Sequence, residues 1–256
     1  MSGLYIERRG RGDVPLVMLH GWAMHGGILA PLADALDARF DMYIVDLPGH
    51  GRSRDAALPL DPATCAAALV ERVPPAMWLG WSMGGLFAMI AALDYPDRVR
   101  ALIPVSATPC FVRTPDWPHG NDVAMVRKLA ADLDADYKAT VDRFIALEAM
   151  GSADPRAETR RLLADAYARG EPDPRVLREG LRLLETTDLR PRLGDLRRPS
   201  LWIAGQRDRI VHPEAMRWSA QAARGDVEII NAGHAPFIGH ADELARAITH
   251  FTEAHA

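Results

Sequence analysis

The chain has 256 residues, 48% of them hydrophobic and 25% charged, with a net charge of −4 at neutral pH. That length suits one large α/β domain with room for an inserted subdomain, and the balance is that of an ordinary globular core. The negative charge excludes a general attraction to nucleic acid or to an anionic membrane. Two cysteines, Cys65 and Cys110, are too few for a disulfide framework and point to a reducing, cytoplasmic compartment. Residues 1–11 carry charges but no apolar run of signal-peptide length, and no stretch approaches a membrane span.

Short apolar runs alternate with helical patterns along the first half. Pro15–Leu19, Met42–Val45, Ala76–Leu79 and Ala101–Val105 read as buried strands because each is brief and apolar throughout. Helices are expected at Leu29–Leu36, Pro62–Val73 and Gly84–Leu93, the second opening on a proline where a first turn tolerates one. The alternation stops near Pro109. Only helical patterns follow, at Asp122–Ala131, Asp136–Met150, Pro155–Arg169 and Pro174–Thr186. Strands return at Ser200–Ala204 and Val227–Ile230, each followed by a helix, Pro213–Ala223 and Ala241–Ala254. In the last helix Leu244, Ile248 and Phe251 form the stripe that packs on a sheet. The pattern predicts an α/β fold, a mostly parallel central sheet with helices on both faces. Its core comprises residues 1–110 and 191–256, and residues 111–190 form an all-helical cap.

Gly80-Trp81-Ser82-Met83-Gly84 is a GxSxG motif between a strand and a helix, the context that gives the motif meaning. The abrupt turn holds its corner residue in strain and pushes the serine oxygen out at the sheet edge, where a helix N-terminus favours negative charge. A serine hydroxyl needs a base. Of nine histidines, His250 and His255 fall on the last helix. His25, His119, His212 and His240 read as loop or surface positions. His234 follows the last strand and reaches the same sheet edge as Ser82. Asp208, after the strand Ser200–Ala204, lies between serine and histidine in chain order, as the triad acid should. The loop one strand earlier, Ser106-Ala107-Thr108-Pro109, offers no carboxylate. His20-Gly21-Trp22 follows the first strand, so the backbone N–H groups of Trp22 and Met83 are the expected oxyanion donors. The Trp22 and Trp81 side chains either wall an acyl channel or pack in the core. The glycine-rich loop Asp46–Ser53 lacks the GK[ST] ending of a phosphate cradle and reads as scaffold. Hydrolysis by this set needs no metal or redox cofactor, and its activity should fall as pH drops through roughly 6 to 7, where a histidine base becomes protonated.

Taken together these segments resemble the α/β-hydrolase superfamily. LHGW at 19–22, VDLPGHGRSR at 45–54, WLGWSMGG at 78–85, PCF at 109–111, RFIALEAMG at 143–151 and AGHAPFIGH at 232–240 resemble more closely the methyl ester esterases that act on pimeloyl-acyl carrier protein in biotin synthesis. The resemblance implies a carboxylesterase with a helical cap, Phe144 and Glu148 on the substrate channel, and an acyl carrier protein as partner. It also implies carrier docking on Arg143, Arg156 and Arg160, although the family's arginine just upstream of Arg143 is Ala139 here, beside Lys138. Arg156 and Arg160 are four apart and share a helix face, and Arg175, Arg178 and Arg182 make a second stripe. Residues 110–190 carry 13 basic and 15 acidic side chains, so docking depends on local clustering, and a solvated, ion-paired face is the competing reading. The expected species is a monomer that also accepts small esters, with no nucleic-acid or membrane partner. A broad carboxylesterase or a carbon–carbon hydrolase would use the same triad, and a ligand receptor on this fold would not need one.

Overall fold

Seven strands form one sheet in the order β1-β3-β2-β4-β5-β6-β7 in a computed structural model that describes residues 3–255. They are β1 (Ile6–Arg9), β2 (Val14–Leu19), β3 (Phe40–Val45), β4 (Ala76–Trp81), β5 (Val99–Val105), β6 (Leu201–Gly205) and β7 (Asp226–Ile230). Only β1 runs antiparallel, pairing Ile6 with Val45 through Arg9 with Met42. This strand escapes an apolar-run search because its sequence, IERR, is that of an edge: one side is solvated and carries charge. β3 starts two residues before its apolar run because Phe40 and Asp41 pair with Val14 and Pro15 of β2, and Asp41 Oδ1 also accepts from Arg8 Nε at 2.7 Å. Every residue of β4 and of β6 is buried.

The helices of the core are α1 (Ala30–Leu36), α2 (Pro62–Val70), α3 (Met83–Asp94), α8 (Pro213–Ala223) and α9 (Phe237–Ala254). Short 3-10 turns occupy Gly26–Leu29, Gly51–Ser53 and Arg190–Asp195. The chain leaves β2 for β3 on one side and then crosses back to β4 on the other. Right-handed crossovers of opposite direction place α1 and α2 on opposite faces of the sheet. The crevice between the C-terminal ends of β2 and β4 is therefore the switch point where parallel sheets receive ligands. Phe237 precedes a non-helical kink over Ile238–His240, in which Gly239 has φ 87°, and the regular part of the last helix runs from Ala241, where the apolar stripe places it.

Between β5 and β6 stand four helices, α4 (Val123–Ala135), α5 (Tyr137–Glu148), α6 (Pro155–Tyr167) and α7 (Pro174–Thr186). Each begins on an aspartate, Asp122, Asp136, Asp154 or Asp173, whose carboxylate accepts a first-turn backbone N–H. Such a cap contributes about 1 kcal/mol. α4 packs on α5 and α7, and α5 on α6. The group is tied to the core by Trp22 Nε1, which donates to the Leu177 carbonyl at 2.8 Å. Asn121 Nδ2 likewise donates to the Ile210 carbonyl at 2.8 Å. No helix among the described residues is long and apolar enough to cross a membrane.

Candidate active site

Ser82 sits where β4 ends and α3 begins, with φ 54° and ψ −124°. A side chain at positive φ outside a glycine is strained by about 1–3 kcal/mol, so the surrounding packing must hold it there. The glycines beside it explain how. A Cβ on Gly84 would lie 2.5 Å from the His20 carbonyl, and one on Gly21 would lie 3.1 Å from Ser82 Cβ. The loop after β2 thus closes directly over the serine corner.

His234 lies beyond β7 and is fully buried; its Nε2 is 2.9 Å from Ser82 Oγ. Its Nδ1 is 2.8 Å from Asp208 Oδ2. The other carboxylate oxygen, Oδ1, accepts from the N–H groups of Ile210 at 2.8 Å and Val211 at 2.9 Å. Those two bonds aim Oδ2 at the imidazole and satisfy a carboxylate that is 5% exposed. The side chains expected at three strand ends therefore converge in one hydrogen-bonded line. Ser106, in the alternative acid position after β5, has φ 46° and a buried hydroxyl without a partner.

The N–H groups of Trp22 and Met83 donate to no protein acceptor among the described residues. They flank Ser82 from the loop after β2 and the first turn of α3, where a developing oxyanion needs donors. His20 holds that loop: its Nδ1–H donates to the Gly21 carbonyl at 2.8 Å and its Nε2 accepts from Leu47 N–H at 2.9 Å. Burial, with His50 beside it, lowers its pKa well below the ordinary value, so it stays neutral and keeps this tautomer. The Trp22 ring packs edge-on against Phe144, 4.8 Å between centroids. The Trp81 indole is fully buried. Its N–H donates to the His234 carbonyl at 2.9 Å and its ring meets Phe237, so it braces the histidine loop.

Above the triad stand two acids. Glu148 is fully buried with both oxygens unpartnered, and Glu158 is 8% exposed with Oε1 unpartnered. Burial, then the charges of Asp208 and Glu158, raise the Glu148 pKa well above 4.5. Burial raises Glu158 to about 7, against the Ser152 hydroxyl, which hydrogen-bonds its charged form, and the charges of Arg161 and His234. A carboxyl that stays protonated when folded but ionises near 4.5 when unfolded loses the protein stability as pH climbs from about 4.5 to about 7. Glu158→Gln is therefore expected to leave the Tm unchanged at pH 4 and to raise it at pH 8, by roughly 4–8 °C for about 2 kcal/mol. Melting curves at the two pH values check this; an equal shift at both would remove the titration argument.

Arg143 is exposed, and its guanidinium donates to Thr140 Oγ1 at 3.0 Å and lies 3.5 Å from Asp132. Arg156 and Arg160 are exposed on α6 with no ion pair among the described residues. The second stripe is partly neutralised, since Arg175 pairs with Asp173 and Arg178 with Asp134.

Sequence reasoning missed the assembly beneath the site. Asp46 is fully buried and accepts from Gly26 N–H at 2.7 Å, Arg52 N–H at 2.8 Å and Arg169 Nη1 at 3.1 Å. Arg169, just past α6, also reaches Glu7 Oε2 at 2.6 Å. His25, expected at a loop or surface position, is in a loop but buried, where its Nδ1 accepts the Gly27 N–H. The signal for Asp46 was present, an aspartate opening a glycine-rich loop after a strand, but its cationic partner lies 123 residues away.

A profile of the α/β hydrolase fold matches residues 14–241. A pimeloyl-[acyl-carrier protein] methyl ester esterase of Stenotrophomonas maltophilia is 50% identical over 97% of this chain and 96% of its own length. The protein of that name from Xanthomonas oryzae pv. oryzae is 47% identical over 97% and 98%. Among solved structures, an esterase from Exiguobacterium antarcticum superposes with a TM-score of 0.86 at 21% identity, over 98% of this chain and 95% of that one. An enol-lactonase from Burkholderia xenovorans superposes at 0.83 and 21%, over 98% and 96%. At that identity the two structures speak for the fold. The chain belongs to the α/β hydrolase fold family and, within it, to the family of the pimeloyl-[acyl-carrier protein] methyl ester esterases.

Proposed function

We propose that this protein is a serine carboxylesterase that hydrolyses the methyl ester of pimeloyl-acyl carrier protein, giving the free carboxylate and methanol. The observation that carries this reading is the unbroken line Ser82–His234–Asp208, at 2.9 and 2.8 Å, in a chain half identical to esterases of that name. Ser82 Oγ attacks the ester carbonyl while His234 Nε2 takes its proton. Asp208 holds the tautomer and stabilises the imidazolium. The oxyanion is met by the N–H groups of Trp22 and Met83. His234 returns the proton to the methoxy oxygen, methanol leaves, and water attacks the acyl-enzyme under the same base.

The helices α4 to α7 act as a cap. A cavity of about 180 Å³ between α4 and α5 is lined by Met125, Leu129, Phe144 and Leu147, with Lys128, Asp132 and Arg143 at its rim. Its apolar wall suits an acyl chain. Phe144 joins it to Trp22, 4.8 Å away, beside the serine corner. Both rim cations lie within ion-pair distance of Asp132, so the exposed Arg156 and Arg160 on the next helix are the charges that suit the acidic surface of a carrier protein. Such docking weakens with salt, because exposed charges are screened over roughly 10 Å at 0.1 M.

The test is incubation of the purified protein with pimeloyl-acyl-carrier-protein methyl ester, following methyl loss by mass spectrometry with Ser82→Ala alongside. Loss in the wild type alone, with a KM that rises with salt, is the expected result. An intact carrier-bound ester beside rapid cleavage of simple short esters would leave an esterase and overturn the substrate.

A further inference from the structure

A second cavity, of about 420 Å³, lies where the first turn of α6 faces the loop that carries the catalytic histidine. Its walls include Ser152, Ala157 and Glu158 from the cap side, Gly233 next to His234, and Ile238 and Gly239 from the kink that opens α9. It shares no lining residue with the apolar mouth between α4 and α5. Built into its wall is the Glu158 carboxyl, 8% exposed with Oε1 lacking a partner, and the buried Ser152 hydroxyl faces that carboxyl closely enough to favour its charged form. Buried polar groups in native proteins are satisfied by protein or by ordered water. Here the protein leaves Glu158 Oε1 without a partner, and the space far exceeds the 10–15 Å³ or so that one water needs. The space at the kink is open: Gly239 has φ 87°, and a Cβ there would meet nothing within 4 Å.

The reaction proposed above creates a traffic problem that this cavity answers, and the inference rests on that reading. An acyl chain tethered to a docked carrier fills the mouth from the surface to Ser82. Methanol is released at the deep end, and a water must reach His234 before the acyl-enzyme can be cleaved. Neither can pass the chain. We propose that the cavity between α6 and the His234 loop is a port for small hydroxylic molecules, admitting water and releasing the alcohol, with Glu158 and Ser152 as its hydrogen-bonding wall. In the step it serves, the water oxygen bonds to the acyl carbon while His234 takes a water proton. The acyl carbon–Oγ bond then breaks and Ser82 Oγ receives that proton.

The port is tested by filling it with Ala157→Trp, which touches no member of the triad. The expected result with the carrier-bound ester is a kcat about tenfold lower, with KM unchanged or reduced and acyl-enzyme accumulating on Ser82 in quenched samples. With p-nitrophenyl acetate, which leaves the mouth open to water, turnover should stay within about twofold. A carrier-bound kcat within about twofold of wild type, or an equal fall on both substrates, overturns the port. Should the tryptophan variant melt early, Ala157→Leu gives the same reading with less bulk. A wild type inert toward the carrier-bound ester overturns the substrate reading itself, an outcome distinct from an active wild type with an unaffected variant.

Discussion

Replacing Ser82 by alanine is expected to lower kcat/KM by roughly 10⁴- to 10⁶-fold, because the nucleophile and its base act as one unit and losing either stops covalent catalysis. The residual rate comes from the oxyanion donors and substrate binding. Stability should hardly change, since alanine shares the cost of φ 54° at this corner. Glycine does not. Ser82→Gly removes the strain of a side chain at positive φ, partly offset by the greater freedom of glycine in the unfolded chain. It should be as inactive as the alanine variant and melt higher by a few degrees, about 1 kcal/mol. Activity assays and thermal melts of the two variants decide the matter. A glycine variant no more stable than the alanine one would mean that the corner is relaxed. Strain that only catalysis needs is the usual form of a conflict between stability and activity.

Asp46→Ala is the change with the largest expected effect on folding. The fully buried carboxylate accepts two loop N–H groups and the Arg169 guanidinium. Its removal leaves those donors unsatisfied and a guanidinium, 15% exposed in its side chain, with only Glu7 for a partner. Breaking such a buried pair on one side costs about 3–5 kcal/mol, which for a chain of this size lowers Tm by roughly 6–20 °C. Adding Arg169→Met should restore part of the loss, because the uncompensated charge is then gone and its aliphatic volume is kept. A double variant less stable than Asp46→Ala would show that the arginine is held by Glu7 and matters for packing instead. Since Arg169 links α6 to the loops after β2 and β3, the same variants should also loosen the four helices from the core. Faster proteolysis between residues 123 and 186 is the observable, as weakly held segments open first.

The chemistry of the site is local and was legible as such. A strand, a serine between glycines and a helix form one short segment, and its geometry follows from the steric demands of the turn. His234 and Asp208 each follow an apolar run; the place after the last strand singled out His234 among the histidines, and chain order put Asp208 between it and Ser82. The helices α7 and α8 begin and end where a proline start and the apolar periodicity place them. What eluded the sequence shares one physical cause, contact between residues far apart in the chain. The edge strand Ile6–Arg9 carries no apolar run because half of it faces water, and only its pairing with β3 makes it a strand. The kink at the start of α9 goes with Phe237 docking against Trp81, 5.0 Å between ring centroids, a contact between residues far apart in the chain. Whether a cap arginine is free or ion-paired follows from which aspartate the fold brings to it, as with Arg178 and Asp134. The resemblance places Glu148 on a substrate channel and nothing in the sequence marks Glu158; the burial of both carboxyls follows only from the packed fold. By itself the sequence determined the fold family and singled out Ser82, His234 and Asp208, which the fold brings within hydrogen-bond distance, because periodicity and turn chemistry act within a few residues. The tertiary structure alone decided which polar groups are buried without partners and which charges hold the helices to the core, because burial and long-range pairing exist only once the chain has closed on itself.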